Sequence, residues 1–282
     1  MSIKSILAPF TGKETDESVA IAALRIAKIF DAQIGVVYAR GYAPEFTRLG
    51  RAEFSEAAYE QFEQVAREQA EQTEVAVRER FLQLLDGIKA DPSTSVTAVL
   101  DMVEGYDSDA IIEWGGVYDL LVVAKPGSGT VGIARDVAET SLVNTGRPVV
   151  IVPAETSETL GKRIAIGWNK GSQSSRAIAA AMPFLERAED VLIIHVKTGA
   201  KRGPSAGRLK RFLQLHGVDA KLHELELDYR VVGEQILDEA GQFRADLLVI
   251  GAYSRSRMRE RIFGGVTQYI FDNAYIPVLM AR

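Results

Sequence analysis

Asp119-Leu120-Leu121-Val122-Val123-Ala124 and Asp246-Leu247-Leu248-Val249-Ile250-Gly251 are two copies of one pattern, an aspartate followed by an unbroken apolar run. A strand with one wet face alternates apolar and polar side chains. A run that is apolar throughout suits a strand covered on both faces, as in a parallel sheet flanked by helices. The flanking sequence is duplicated in the same order. Ser5-Ile6-Leu7-Ala8-Pro9-Phe10 and Arg163-Ile164-Ala165-Ile166-Gly167-Trp168 are apolar strands leading into polar turns. An alanine-rich helix follows each, over residues 16–29 and 174–187, with Ser174 or Ser175 as candidate cap of the second. Second strands are expected at 33–39 and 190–196, third strands at 95–103 and 220–227. Each copy closes on a further apolar strand, Arg147-Pro148-Val149-Val150-Ile151-Val152 or Ile276-Pro277-Val278-Leu279-Met280-Ala281.

Each copy thus reads β-α-β-α-β-α-β-α-β, and the 282 residues divide into domains at 1–155 and 162–282 across a polar linker at 154–161. The expected fold class is α/β, two tandem doubly wound domains, each with a five-stranded, mostly parallel sheet. The first copy carries about thirty extra residues, read as one long amphipathic helix over 52–88. Phe62, Ala66, Ala70, Val77, Phe81, Leu84 and Ile88 recur there at helical spacing, with Thr73 filling the one gap. Its mixed charges suit a solvated outer face, with docking of a protein partner as the alternative. The matching helix of the second copy, at 204–216, is much shorter. Ligands of such sheets bind beyond the carboxyl ends of the strands where strand order reverses. The candidate turns are those after Phe10, Trp168, Ala39, Val196, Ala124 and Gly251.

The net charge of −5 offers no global basic field for nucleic acid or an acidic membrane. The absence of cysteine removes disulfides, thiolate nucleophiles and Cys-ligated metals. The N-terminal MSIKSILAPF lacks the apolar core and cleavage site of a signal peptide, and no run is long enough to span a bilayer, so a cytoplasmic protein is expected.

The turn after the fourth strand of the second copy reads Gly251-Ala252-Tyr253-Ser254-Arg255-Ser256-Arg257-Met258-Arg259-Glu260-Arg261-Ile262-Phe263-Gly264-Gly265-Val266-Thr267. In layout it resembles the C-terminal signature of the universal stress protein family. There a glycine ends the strand, a second follows three residues later, and a glycine followed by Ser or Thr opens the last helix. The resemblance extends over nearly the whole chain, twice. It implies a tandem member with an adenine nucleotide alpha hydrolase-like fold, whose halves pack as an internal pseudo-dimer through the closing strands around 149–152 and 278–281. Homodimers and unidentified protein partners are further expectations of the resemblance. It also implies ATP or AMP as ligand, with Mg²⁺ as an optional companion and no cofactor required.

Position by position, the resemblance keeps Gly251 and Gly264, puts Val196 at the adenine position and places Thr267 at a later Ser-like position. The amides of Gly265, Val266 and Thr267 would face the phosphate at the start of the last helix. Ser254 stands where the middle glycine is expected, Gly265 where Ser or Thr is expected, and Asn169 where an Asp contacts ribose or base. Asn retains hydrogen bonding without charge. Arg257, with Arg255, Arg259 and Arg261, is a candidate phosphate contact. In the first copy Thr11 takes the Asp position, Ala124 the strand-end glycine, Gly127 the middle glycine, and Arg135-Asp136 the glycine-Ser pair. A carboxylate at the phosphate end of a helix repels an anion, so the first copy is the poorer site.

Other motifs yield to plainer readings. Gly127-Ser128-Gly129-Thr130-Val131-Gly132 spells a dinucleotide fingerprint, but Lys125-Pro126 separates it from its strand and it sits at the fourth strand, not the first. Gly203-Pro204-Ser205-Ala206-Gly207 spells a nucleophile elbow without a strand running into it, and reads as a loop entering a helix. His195, His216 and His223 lack metal-ligand spacing, and His195 is read as structural. Trp168 is a core or pocket-edge aromatic, and no carboxylate pair suggests catalysis. Three functions remain: an adenine-nucleotide-binding stress-response protein using the second copy, a nucleotide-free interaction module of the same fold, or, as a minor third, a binder of another small ligand such as a lipid or metabolite in a remodelled pocket. Gly251→Val is expected to abolish nucleotide binding and leave the fold intact.

Overall fold

In the computed structural model, residues 2–41, 56–127, 132–155, 158–199, 203–252 and 265–282 are described. Ten strands form one sheet. In the first half they are β1 (Ser5–Phe10), β2 (Gln33–Arg40), β3 (Thr97–Glu104), β4 (Leu120–Ala124) and β5 (Val149–Val152). In the second they are β6 (Arg163–Gly167), β7 (Asp190–Lys197), β8 (Ala220–Glu226), β9 (Leu247–Gly251) and β10 (Val278–Ala281). The order is β3-β2-β1-β4-β5-β10-β9-β6-β7-β8, so the halves repeat one doubly wound topology. Every pairing is parallel except β5 with β10, which run antiparallel with Leu279 opposite Val150. This is the expected pairing of closing strands, and it buries two edges that would otherwise be open to association.

Eight helices are described: α1 (Asp16–Phe30), α2 (Glu56–Lys89), α3 (Asp107–Gly115), α4 (Ile133–Asn144), α5 (Ser172–Leu185), α6 (Ala206–Leu215), α7 (Val232–Gln242) and α8 (Gly265–Asn273). Alternate residues along each strand feed two cores, as a side-chain period of two requires. Ile6, Ala8 and Phe10 face α1 and α2, in a layer shared with α5 and α6. Leu7 faces the opposite layer, built from α3, α4, α7 and α8. The halves touch within the first layer, where Phe30 and Phe184 meet edge to face at 4.8 Å.

The duplicated aspartates have one job. Asp119 accepts hydrogen bonds from the Lys4 and Ser5 amides at 2.8 and 3.0 Å, and Asp246 from Gly161, Lys162 and Arg163 at 3.0, 3.1 and 2.9 Å. Each ties the start of a fourth strand to the start of the first strand of its half.

Local differences from the sequence reading are small. The second half's first helix begins at Ser172, not Ser174, with Gly171 at its N-cap. The short helix begins at Ala206, and Ser205 caps it by accepting the Arg208 amide at 3.3 Å, in line with a loop entering a helix. The long helix starts at Glu56; residues 52–55 lie outside the described residues. Val77 and Leu84 are buried on it as its periodicity requires.

Candidate functional site

In the second half β6 has β7 on one side and β9 on the other, with Gly167 in register with Ile194 and Ile250. Asn169, Val196 and Gly251 therefore lie at neighbouring strand ends along one carboxyl edge. The backbone of β7 is open there. Trp168 donates its N–H to the Ile194 carbonyl at 2.9 Å, so Ile194 faces β6, and Val196, two residues on, faces the same way. A continued ladder would join the Val196 N–H to the Trp168 carbonyl. That carbonyl instead accepts His195 Nδ1–H at 2.8 Å. The Val196 N–H is left without a partner among the described residues. His195 is thus structural, as expected, and its effect is to end the ladder. Trp168 is buried, with its indole N–H bonded to the Pro204 carbonyl at 3.1 Å.

Asn169 is half-buried. Its Oδ1 accepts the Gly171 amide and lies within reach of the Ser174 hydroxyl, both at 2.9 Å. Its amide nitrogen has no partner among the described residues. No acidic residue lies in the first turn of α5 or of α8. Among the described residues these helix starts are therefore polar and free of acidic side chains, and two helix N-termini favour an anion.

Gly251 packs against α5. A side-chain carbon there would lie 2.4 Å from the Ser174 nitrogen and 2.6 Å from the Gln173 carbonyl carbon. The glycine is needed to let β9 meet the α5 backbone, so Gly251→Val strikes the fold itself and the expectation of a clean variant is corrected. Gly265 is exposed, and a side-chain carbon there meets nothing within 4 Å. Val266 is half-buried against the core, and Thr267 is buried in the first turn of α8. Ser254, Arg257 and Gly264 lie outside the described residues, as do Arg255, Arg259 and Arg261 and the middle of the 127–132 glycine motif.

The same edge of the first half is built differently. Asp16, at the start of α1, accepts the Thr11 amide at 3.0 Å, the Thr11 hydroxyl at 3.1 Å and the Gly12 amide at 2.7 Å. The link spans the same five residues as Asn169 to Ser174, with the acceptor moved from loop to helix. Thr73 of α2 sits over this turn: a side-chain carbon at Gly12 would lie 2.0 Å from its methyl carbon. Arg40 to Glu74 and Arg80 to Glu17, both at 2.9 Å, hold α2 down. Burial, and then the charge of Asp16, pushes the Asp107 carboxyl up to about 6. Burial also raises Asp16, against the lowering effect of the Thr11 and Gly12 amides. Tyr38 is raised by burial and by the charge of Asp107. This half therefore presents a buried carboxyl, Asp16, and a half-buried one, Asp107, where Thr73 of α2 overlies the Gly12 turn. Sequence reading missed Asp16 and Asp107 as site residues; the signal was a carboxylate five residues after Thr11.

Arg135, expected beside a phosphate position, points elsewhere. It is 4% exposed and reaches α8, bonding Gln268 at 3.3 Å and Asp272 at 3.1 Å. Lys125 donates to the carbonyls of Phe271 and Asp272 at 3.4 and 3.1 Å. Two cations of the first half thus hold the C-terminal turn of α8. Among the described residues no group of three His, Asp or Glu could hold a metal, and no helix is long and apolar enough to cross a membrane.

The family model of the universal stress protein family matches residues 162–282. Among solved structures, a universal stress protein from Archaeoglobus fulgidus DSM 4304 is 17% identical with a TM-score of 0.69, over 99% of this chain and 98% of that one. A functionally unknown protein from Pseudomonas aeruginosa PAO1 is 14% identical with a TM-score of 0.56, over 99% and 92%. The cytoplasmic domain of a prokaryotic cation chloride cotransporter is 8% identical with a TM-score of 0.50, over 99% and 95%. At these identities the likeness is one of fold. No curated protein matches the chain.

Proposed function

From a chain whose residues 162–282 form a universal stress protein domain, and whose first half repeats that fold, we propose a cytoplasmic stress-response protein of two units, 1–155 and 162–282. It binds one adenine nucleotide, ATP or AMP, in the second unit. The observation that carries the reading is the Val196 N–H at the mouth between β6 and β7, which has no partner among the described residues. A buried donor without a partner is costly, and the edge of an adenine supplies an acceptor. Asn169 offers its amide nitrogen toward ribose or base, and the first turn of α8, through Gly265, Val266 and Thr267, offers amides and a helix dipole to phosphate. Ser254, Arg257 and Gly264 complete the proposed contacts. In the first unit the carboxyls of buried Asp16 and half-buried Asp107, with α2 over the Gly12 turn, oppose an anion, so the stoichiometry is one.

The test is a calorimetric and thermal-shift titration of the full chain with ATP, ADP and AMP, with and without Mg²⁺. Ligand at a hundredfold excess over its dissociation constant stabilises by about 2.7 kcal/mol. One site per chain is expected; two sites, or no shift at millimolar nucleotide, overturns the reading. The second reading, a nucleotide-free interaction module, draws on Gly251, whose lack of a side chain is accounted for by α5 alone.

A further inference from the structure

Helix α6 lies over β7 and β8 with Ala206, Leu209 and Leu213 buried against the sheet. Positions three and four apart share a helical face, so the face opposite those three carries Arg208, Arg211, Phe212 and Leu215. Phe212 is 43% and Leu215 77% exposed. The buried leucines already seat the helix, so its core packing does not account for two large apolar groups set in water between cations. Arg208, Lys210 and Arg211 form no ion pair among the described residues. Residues 191–218 hold six Lys or Arg and no Asp or Glu, in a chain of net charge −5. The basic field that the whole chain lacks is therefore present locally. Of the carboxylates on neighbouring elements, Glu226 is bonded to Lys197 at 2.7 Å, and exposed Glu186, Asp219 and Glu224 are accompanied by exposed Arg176 and Arg187 of α5. Helix α2, with its many glutamates, lies at the far end of a twisted ten-stranded sheet and does not share the plane of α6.

We propose that the outward face of α6 is a membrane-surface contact, which lies on a bilayer containing anionic phospholipid. Arg208 and Arg211 meet headgroup phosphates, and Phe212 and Leu215 reach the boundary of the acyl chains, about 5–10 Å down. The long arginine stems let cation and apolar group occupy their own layers from one helical face. The pairing of residue types decides between polyanions. A nucleic-acid backbone satisfies the cations but leaves Leu215, between Arg208 and Arg211 on the helical face, in water, whereas a headgroup layer over hydrocarbon satisfies both. Each basic side chain near an anionic surface strengthens partitioning about fivefold, so three give a reversible, salt-sensitive contact. The surface does not include Asn169 or Val196 and stands whether or not a nucleotide is bound.

Cosedimentation of the full chain with vesicles tests this, comparing pure phosphatidylcholine with a mixture containing one-third phosphatidylglycerol. At low ionic strength binding is expected to the anionic vesicles alone, and to weaken as salt screens it. Arg208→Glu/Arg211→Glu should weaken it at least about tenfold with melting temperature unchanged, since both side chains are exposed. Leu215→Ser should also weaken it, and the added indole of Leu215→Trp should shift its emission to the blue on the anionic vesicles. The proposal is overturned by a wild-type chain that ignores anionic vesicles, by a doubly reversed variant that binds as wild type does, or by an unshifted indole in bound protein. Tighter binding to a single-stranded RNA, undiminished in Leu215→Ser, would show that the patch reads charge alone and would overturn it too.

Discussion

Arg135 in the first half and Asp272 in the second are joined at 3.1 Å, with Gln268 bridging them through a 2.6 Å bond to the other carboxylate oxygen. The arginine stands where the family resemblance expects a phosphate-binding glycine. Its guanidinium, 5.8 Å from the centre of the Phe271 ring, serves the junction between the halves. Arg135, in the first turn of α4, thus clamps α8 of the other half.

Arg135→Gln is accordingly expected to destabilise the whole protein. Arg135 is buried but the Asp272 carboxylate is 31% exposed and keeps the Gln268 amide, so losing the guanidinium costs about 1–2 kcal/mol. Urea unfolding reads the change. Arg135→Lys keeps the charge without the planar fork and should fall between wild type and Gln. A Gln variant as stable as wild type would show that the junction does not depend on this pair.

Gly251 and Gly265 separate fold from binding. Even Gly251→Ala places a carbon 2.4 Å from the Ser174 nitrogen, an overpacking that costs about 2 kcal/mol. Gly265→Asp has open space and adds a carboxylate to the first turn of α8, which favours the helix by about 0.5 kcal/mol. The same charge opposes a phosphate, so nucleotide affinity should fall at least about tenfold with melting temperature unchanged or raised. A Gly265→Asp chain that binds as wild type does would remove α8 from the site.

The sheet was legible because each strand carries its own signature. The runs from Leu120 and Leu247, and the closing runs from Val149 and Val278, are apolar throughout; that the closing strands pair between halves was an implication of the family resemblance, and their antiparallel direction is a finding of the structure. The site was less legible because its decisive features are tertiary. No local pattern tells that Thr73, a gap in an apolar stripe, rests on the Gly12 turn. Nor does one tell that Arg135 turns toward α8, or that the ring of His195 takes the carbonyl Val196 would have used. Gly251 was read for a ligand because a glycine's meaning depends on what approaches it, here the backbone of α5.

His195 supplies a test of the open ladder. In His195→Leu the Trp168 carbonyl has lost its donor, and the Val196 N–H can close on it. Amide hydrogen exchange at Val196 should slow, and nucleotide affinity should fall by about tenfold, the equivalent of one hydrogen bond. His195→Gln keeps an N–H donor and should retain more of the affinity. If exchange at Val196 is the same in wild type and His195→Leu, the bond is not the one that keeps this amide free.

Asp107 makes stability depend on pH in an unusual direction. Its carboxyl, half-buried at the head of α3, is pushed up to about 6 by desolvation and then by the charge of Asp16, against an ordinary value of 3.8. Between these values the folded protein holds a proton that the unfolded chain has released, so stability must fall as pH rises. The contribution is fully present below 3.8 and lost above about 6. Asp107→Asn removes the charge and with it this slope. The variant should match wild type at the acidic end and exceed it at neutral pH by on the order of 2 kcal/mol, allowing for partial solvent access. Urea unfolding of both proteins across the window reads Asp107 together with its coupling to Asp16, because the remaining carboxylates titrate in both. A difference between them that does not grow with pH would place the Asp107 carboxylate in contact with solvent, and the acidic character of the first-half crevice would then rest on Asp16 alone.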